Sequence, residues 1–391
     1  MKPNPKPEQR PINPNFSSGP CAKRPGWTLD VLNSALVGRA HRARESKQRL
    51  RLVLDKTHRI LELPADYRVA IVPGSDTGAF EMALWTMLGA RGVDVLSWDA
   101  FGKLWVHDIV RHLRIEDTRV LEADYGRLPD PSVVDFNRDV VFAWNGTTSG
   151  VRVPSGDWIR DDRRGLTFVD ATSAVFAQDI DWAKVDVATF SWQKVFGGEA
   201  AHGMIILSPR AVERLESHVP PWPVPKVFRL TKAYRLIEGL FKGETINTPS
   251  MLCVEDYLDA LRWGEGIGGL AALQARADAN AAVIFDWIED SPWIANLAVD
   301  PATRSNTSVC LRIDHPAVTS RGAAWEDQVC KQIAALLNEE GVAKDIGAYR
   351  AAPPGLRIWC GSTVERSDLD RLTPWLDWAF THAVTLLNKT A

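Results

Sequence analysis

No uninterrupted apolar run in this chain approaches the roughly 20 residues that span a bilayer, and the opening MKPNPKPEQRPINPNF lacks the apolar segment of a secretory signal. No membrane association is expected, and the cytoplasm is the expected compartment. Long blocks of one charge are missing as well. Lysines and arginines number 46 against 49 acidic residues, a formal net charge of -3, so no basic face is available for nucleic acid. Cysteine is scarce: Cys21, Cys253, Cys310, Cys330 and Cys360 are odd in number and scattered, without the close pairing of zinc sites or redox motifs. No metal is therefore expected, and the thiols read as reduced and mostly buried. Repeats and low-complexity tracts are wanting too, apart from seven prolines in the first 25 residues. Those keep Met1 to about Asn13 extended, as a mobile or surface-draped arm.

What the chain does have is apolar residue enough for a large core, 45% of the total, including 16 tryptophans. Several of these recur at helical spacing, as in DWIEDSPWI and LTPWLDWAF, where they read as packing rather than ligand cages. A length of 391 residues exceeds what one core organises, so two domains of unequal size are expected. From Tyr67, short β-branched runs alternate with amphipathic segments: RVAIV then GAFEMALWTMLG, VDVLSW then KLWVHDIVRHL, followed by DVVFAW, LTFVD, DVATFSW and GMIIL. That rhythm means βαβ units and an α/β fold with a largely parallel sheet. Helices are expected over Pro249–Trp263 and Gly268–Asp290, the second long, alanine-rich and suited to bridging two domains. The remainder reads as a smaller α+β unit, with strands in TSVCLRID and GLRIWCG and helices in AWEDQVCKQIAALLNEEG and ERSDLDRLTPWLDWAFTHAVTLL. The expected division is an arm over 1–15, a large domain over 16–265 and a small domain over 266–391.

Parallel sheets receive ligands outside the carboxyl ends of their strands, and Ser75, Asp99, Asn145, Asp170 and Lys194 all fall at such ends. Lys194 lies in FSWQKVFGGEAAHGMIIL between a strand and a glycine-rich turn, where its amine can form a Schiff base. Asp170 in LTFVDATSA, 24 residues upstream, can project from a neighbouring strand into the same crevice. Pyridoxal phosphate chemistry needs that pair, the lysine to carry the cofactor and move protons, the buried carboxylate to keep the pyridine nitrogen protonated. In VPGSDTGAFEMALW a strand, a small polar turn and a helix place the N–H groups of Gly74, Ser75, Asp76, Thr77 and Gly78 around one phosphate-sized cup. An ordinary capped helix has the same composition, and the lysine of a nucleotide P-loop is missing. In WDAFGKLWVHD, Phe101 or Trp105 is placed to stack on a flat ring, and either suits a core equally. Asn145, Thr147 and Thr148 of WNGTTSG offer hydrogen bonds to a ring substituent or form a plain polar turn.

Taken in order, FSSGP, AHR at 40–42, GSDTGA, NGTTSG, VDATS, WQK, NTPS and YRAAPPGLR resemble phosphoserine aminotransferase, a family of fold type I, class V pyridoxal phosphate enzymes. The resemblance covers most of residues 15–360. It implies a large domain with a mostly parallel seven-stranded sheet and a smaller α+β C-terminal domain. By it Lys194 is the Schiff-base lysine, Asp170 the partner of the pyridine nitrogen, and Gln193 with Ser75, Asp76 and Thr77 the phosphate ligands. Thr147 becomes a ring-oxygen contact and Phe101 the ring over the cofactor. It further implies a homodimer with shared active sites, in which Asn247 and Thr248 reach the other subunit's cofactor phosphate. Arg357 matches the arginine that forks onto the substrate α-carboxylate, and His41 with Arg42, joined by Arg350, matches the group that takes the distal anion. Two departures stand out. Phe101 replaces the family's usual tryptophan, and Tyr349 replaces the histidine that commonly precedes the second arginine, which removes one expected phosphate ligand.

The implied reaction moves an amino group between L-glutamate and 3-phosphohydroxypyruvate, giving O-phospho-L-serine and 2-oxoglutarate in serine biosynthesis. An alanine or serine:glyoxylate aminotransferase of the same superfamily has no use for His41 and Arg42. A cysteine desulfurase needs a nucleophilic thiol on a mobile loop, whereas Cys310, Cys330 and Cys360 lie in expected strands or helices. The alternative from a different class is a non-catalytic phosphate or nucleotide binder on a doubly wound sheet, which would purify colourless.

Overall fold

The computed structural model describes residues 4–390. Its central sheet takes strands β1 (Arg68–Pro73), β2 (Val93–Ser97), β3 (Thr118–Glu122) and β4 (Asp139–Ala143). A two-residue hairpin of β5 (Asn145–Gly146) and β6 (Val151–Arg152) then stands outside it, before β7 (Thr167–Asp170), β8 (Val187–Ser191) and β9 (His202–Leu207) complete it. The order is β1-β9-β8-β7-β4-β2-β3, and every pairing is parallel except the two made by β9. The expected mostly parallel α/β sheet is therefore present. One strand escapes the sequence rhythm: β3, TRVLE, lies at the sheet edge with mostly exposed residues, so no apolar run marks it.

Period-two alternation sends successive residues to opposite faces, and both faces are covered. Val69, Ile71, Met204 and Ile206 join a core that includes helices α1 (Arg44–Ile60) and, further along, α5 (Met251–Gly266). Ala70, Val72, Ile205 and Leu207 turn the other way, against α2 (Ser75–Met87), α3 (Ala100–His107) and α4 (Pro209–Ser217). Between α4 and α5 the chain forms a small hairpin, β10 (Thr231–Lys232) with β11 (Arg235–Leu236).

The long helix α6 (Gly269–Asp290) leads into an antiparallel sheet of β12 (Ile294–Asn296), β13 (Ser308–Ile313) and β14 (Leu356–Trp359). The short α7 (Pro316–Thr319) precedes α8 (Ala323–Glu339), and α9 (Arg366–Thr390) ends the chain's described part. Tryptophans seal this region, and two of them share one carboxylate for their N–H groups. Trp293 stacks on Phe380 at 4.2 Å, and Trp287 and Trp293 both donate to Asp377, at 3.2 and 2.7 Å. The proline-rich start takes the draped form of the two expected for it. The Asn4 N–H donates to the Thr381 hydroxyl at 2.9 Å, the Ile12 N–H to Asp368 at 2.7 Å, and Lys6 pairs with Glu340 at 2.6 Å.

Candidate active site

The carboxyl ends of β1, β2, β4, β7 and β8 open on one cavity lined by Ser75, Asp76, Thr77, Phe101, Trp105, Asn145, Thr147, Asp170, Thr172, Gln193 and Lys194. At one end lies the start of α2. Gly74 enters it at φ +87, a backbone conformation that favours glycine, and no side chain caps the helix. The first-turn N–H groups of Ser75, Asp76 and Thr77 thus have no intrahelical partner and point, with the positive helix end, at whatever anion fills the cup.

Asp170 closes the middle of the cavity. Trp105 of α3 donates its indole N–H to Asp170 Oδ2 at 3.1 Å, and the Thr172 N–H reaches Oδ1 at 3.1 Å. That fixes the role of Trp105: its ring is buried against Phe80, 4.6 Å between centroids, and its N–H is spent on the carboxylate. Phe101, one turn earlier, is left as the ring on the open side, with Tyr349 at 5.6 Å. Asp76 is buried beside Asp170. Burial first, and then the Asp170 charge, pushes the Asp76 carboxyl well above the usual range.

Lys194 arrives from the end of β8, next to β7, as its spacing from Asp170 requires. Its amine is buried and donates to the Ser18 carbonyl in the FSSGP turn. A side chain on Gly19 would stand 2.5 Å from Lys194 Nζ, so that turn is shaped around the lysine. Burial lowers the lysine's pKa from its ordinary value of 10.5, Cys21 opposes this, and the Arg357 guanidinium adds to the lowering, so the amine gives up its proton more readily than a solvated lysine. Around the rim, Thr147 donates to Ser173 at 2.7 Å, Asn145 to Ser173 at 2.8 Å, and Asp99 caps α3 while accepting the Thr148 hydroxyl at 3.1 Å.

No family model matches the chain, but full-length relatives do. It is 56% identical to a curated phosphoserine aminotransferase of Methanosarcina mazei over 375 residues, 96% of this chain and 99% of the relative. The chain belongs to the phosphoserine aminotransferase family. Its fold superposes on a phosphoserine aminotransferase from Cytophaga hutchinsonii with TM-score 0.80 at 21% identity, covering 93% of this chain and 99% of the other. A pyridoxal phosphate-bound phosphoserine aminotransferase from Trichomonas vaginalis gives TM-score 0.73 at 18% identity, over 93% and 99%.

Enzymes of the phosphoserine aminotransferase family depend on pyridoxal phosphate, and the donor set in this cavity fits that group. There is one anion cup, one braced carboxylate and one buried amine, and two buried polar atoms, Gln193 Oε1 in the cavity and Arg357 Nε near it, have no partner among the described residues. Such orphans are costly unless a ligand meets them. Arg357 stands on β14 with its guanidinium 5.8 Å from the Tyr349 ring, and Arg350, exposed, lies 5.8 Å from the same ring on its own account.

Six of the expected site residues do not line this cavity: Arg350 and Arg357 stand beside it at Tyr349, and the other four lie elsewhere. His41 and Arg42 line a separate surface hollow with Lys47, Gly243, Glu244 and Thr245. Asn247 and Thr248 follow on the same segment, exposed, with Asn247 Nδ2 reaching only the Thr248 carbonyl at 3.4 Å. Sequence reading also missed several groups. His202 of β9 accepts the Ser250 N–H at 3.0 Å and so pins the end of the NTPS segment to the sheet. Ser18 and Ser173 act through bonds to Lys194 and Asn145 that join distant parts of the chain, for which no local signal exists, whereas Thr172 reaches Asp170 from two residues away.

Proposed function

We propose that the protein moves an amino group between L-glutamate and 3-phosphohydroxypyruvate, giving O-phospho-L-serine and 2-oxoglutarate for serine biosynthesis, as a cytoplasmic homodimer with shared active sites. The observation that carries the reading is the meeting of Lys194 and Asp170, from adjacent strands, in a cavity closed by the start of α2. The 56% identity to a curated family member supports it.

When bound, pyridoxal phosphate supplies an electron sink for the α-carbon of an attached amino acid. The first-turn N–H groups of Ser75, Asp76 and Thr77 hold the phosphate, with Gln193 beside them. Asp170, steadied by Trp105 and Thr172, serves the pyridine nitrogen. Phe101 covers the ring and Thr147 meets its oxygen. Lys194, kept readily unprotonated by burial, takes the proton from the substrate α-carbon and delivers it again. Arg357 takes the α-carboxylate in a two-pronged grip. The distal anion falls to Arg350 and to His41 and Arg42 of the partner subunit, while Asn247 and Thr248 of the partner subunit complete the phosphate site. Hydrophobic burial of two substrate anions demands cations at both ends, and this division supplies them.

A desulfurase reading finds little support, because burial pushes the Cys310 and Cys330 thiols up to about 12 and raises Cys360 further, leaving inert groups. The test is to follow 2-oxoglutarate release from glutamate with 3-phosphohydroxypyruvate, alongside the visible spectrum before and after glutamate. A yellow protein whose spectrum shifts and which prefers this pair is expected. Preference for alanine with glyoxylate would put a glyoxylate aminotransferase in its place, and a colourless protein that takes up no cofactor would leave a phosphate binder.

A further inference from the structure

At its carboxyl end α3 runs into a π-helical turn, Asp108–His112, in which the Leu113 N–H bonds the Asp108 carbonyl at 2.8 Å. In an α-helix, at 3.6 residues per turn, a step of five residues carries a side chain about 140° around the axis. His107 and His112 would then face different ways. The wider turn brings them together instead, with ring centroids 4.9 Å apart and planes at 70°. Asp108 joins them, and one ligand atom from each of His107, Asp108 and His112 lies within 4.8 Å of the other two. On α2, Glu81 is half-buried and close enough to feel both Asp108, which raises its carboxyl pKa, and His112, which lowers it, after the larger effect of burial.

We propose that His107, Asp108 and His112 form a binding site for one divalent transition-metal ion, zinc being the best match. Two imidazoles and a carboxylate are the donor set that zinc, nickel, cobalt and copper accept, while magnesium and calcium want oxygen alone. Small rotamer changes bring three such atoms from this spacing to a common ion, leaving a fourth position for water or Glu81. None of the three lines the Lys194 cavity. The ion's place is structural: it would fix the π-helical turn at the end of α3, whose Trp105 holds Asp170, and with Glu81 as fourth ligand would tie it to α2. The expectation of no metal was drawn from the cysteines, and WVHDIVRH hides the site because its histidines are not in α-helical register.

Chelator-treated holoenzyme, free of amino acid substrates, should be titrated with ZnCl2 by calorimetry, with MgCl2 as control. One saturable zinc site per chain and no magnesium binding are expected, and CoCl2 should give a visible band of nitrogen and oxygen ligation on the wild type. His112→Ala should weaken zinc by tenfold or more, and His107→Ala with His112→Ala should abolish the site while aminotransferase turnover stays near wild type. Wild type that shows no saturable zinc binding, or a double variant that binds zinc undiminished, overturns the proposal.

Discussion

The Lys194 cavity and the His41–Arg42 hollow are built to opposite plans. In the cavity three groups are buried and braced from another element: Asp170 by Trp105, Lys194 by Ser18, Thr147 by Ser173. At the hollow Arg42, and just beyond it Asn247 and Thr248, stand exposed on irregular segments. Partial burial, then Arg42 and Lys47, drive His41 toward its neutral form, as expected of cations gathered without enough counter-charge. A braced group is held within its own chain. On the proposed reading, the loose groups become useful when an anion and a second chain arrive, which is the physical content of a shared active site.

The sharpest way to break this contrast is to remove the braced amine. Lys194→Ala should lower turnover by about 10^4-fold while the fold stays intact. Borohydride reduction of the wild type followed by peptide mapping should place the pyridoxyl label on Lys194, and a label on another lysine would sink the assignment. In apoenzyme the same amine should titrate below 10.5, so the rate of cofactor capture rises with pH and levels off earlier than for a solvated lysine.

Mixed dimers test the loose half. Lys194→Ala chains and chains carrying Asn247→Ala with Thr248→Ala are each expected to be inactive alone. Refolded in equal amounts, half the dimers pair the two kinds and hold one intact site, so recovery of about a quarter of wild-type activity is expected. Heterodimers that form and recover nothing would mean that each chain works with its own Asn247 and Thr248.

Charge removal then compares the two ends of the substrate. Arg357→Ala should damage every amino acid substrate alike, whereas Arg42→Ala should hurt glutamate and phosphoserine but largely spare alanine, which has no distal anion. A charge-assisted contact is worth ~2 kcal/mol, roughly thirtyfold in kcat/KM. Equal losses for alanine and glutamate in Arg42→Ala would remove the distal-anion role.

The same contrast explains what could be read from the sequence. Lys194, Asp170 and the α2 turn were legible because strand ends and helix starts are local patterns, and parallel sheets put those ends on one side. β3 was not, because an edge strand needs no apolar run. The Lys194 bond to Ser18 joins residues 176 apart, and the indole of Trp105 meets Asp170 across 65. Nothing in WDAFGKLWVHD alone says whether Phe101 or Trp105 faces the ligand. Only the packing of α3 on Phe80 separates them.

That separation yields the smallest effect and the finest test. Trp105→Phe keeps an aromatic ring against Phe80 but removes the N–H held by Asp170 Oδ2 at 3.1 Å. Asp170 keeps the Thr172 N–H at 3.1 Å, so the carboxylate is loosened, not freed. A hydrogen bond to a charged group is worth about 1.5 kcal/mol, or a little over tenfold in an equilibrium constant. Pyridoxal phosphate affinity of the apoenzyme should fall by about that factor, because the aspartate proposed to serve the pyridine nitrogen is less well placed. Phe101→Ala should instead act through the ring face and leave the Asp170 geometry alone. If Trp105→Phe lowers the melting temperature while cofactor affinity holds, Trp105 is core and no more, and Asp170 is positioned by its own strand.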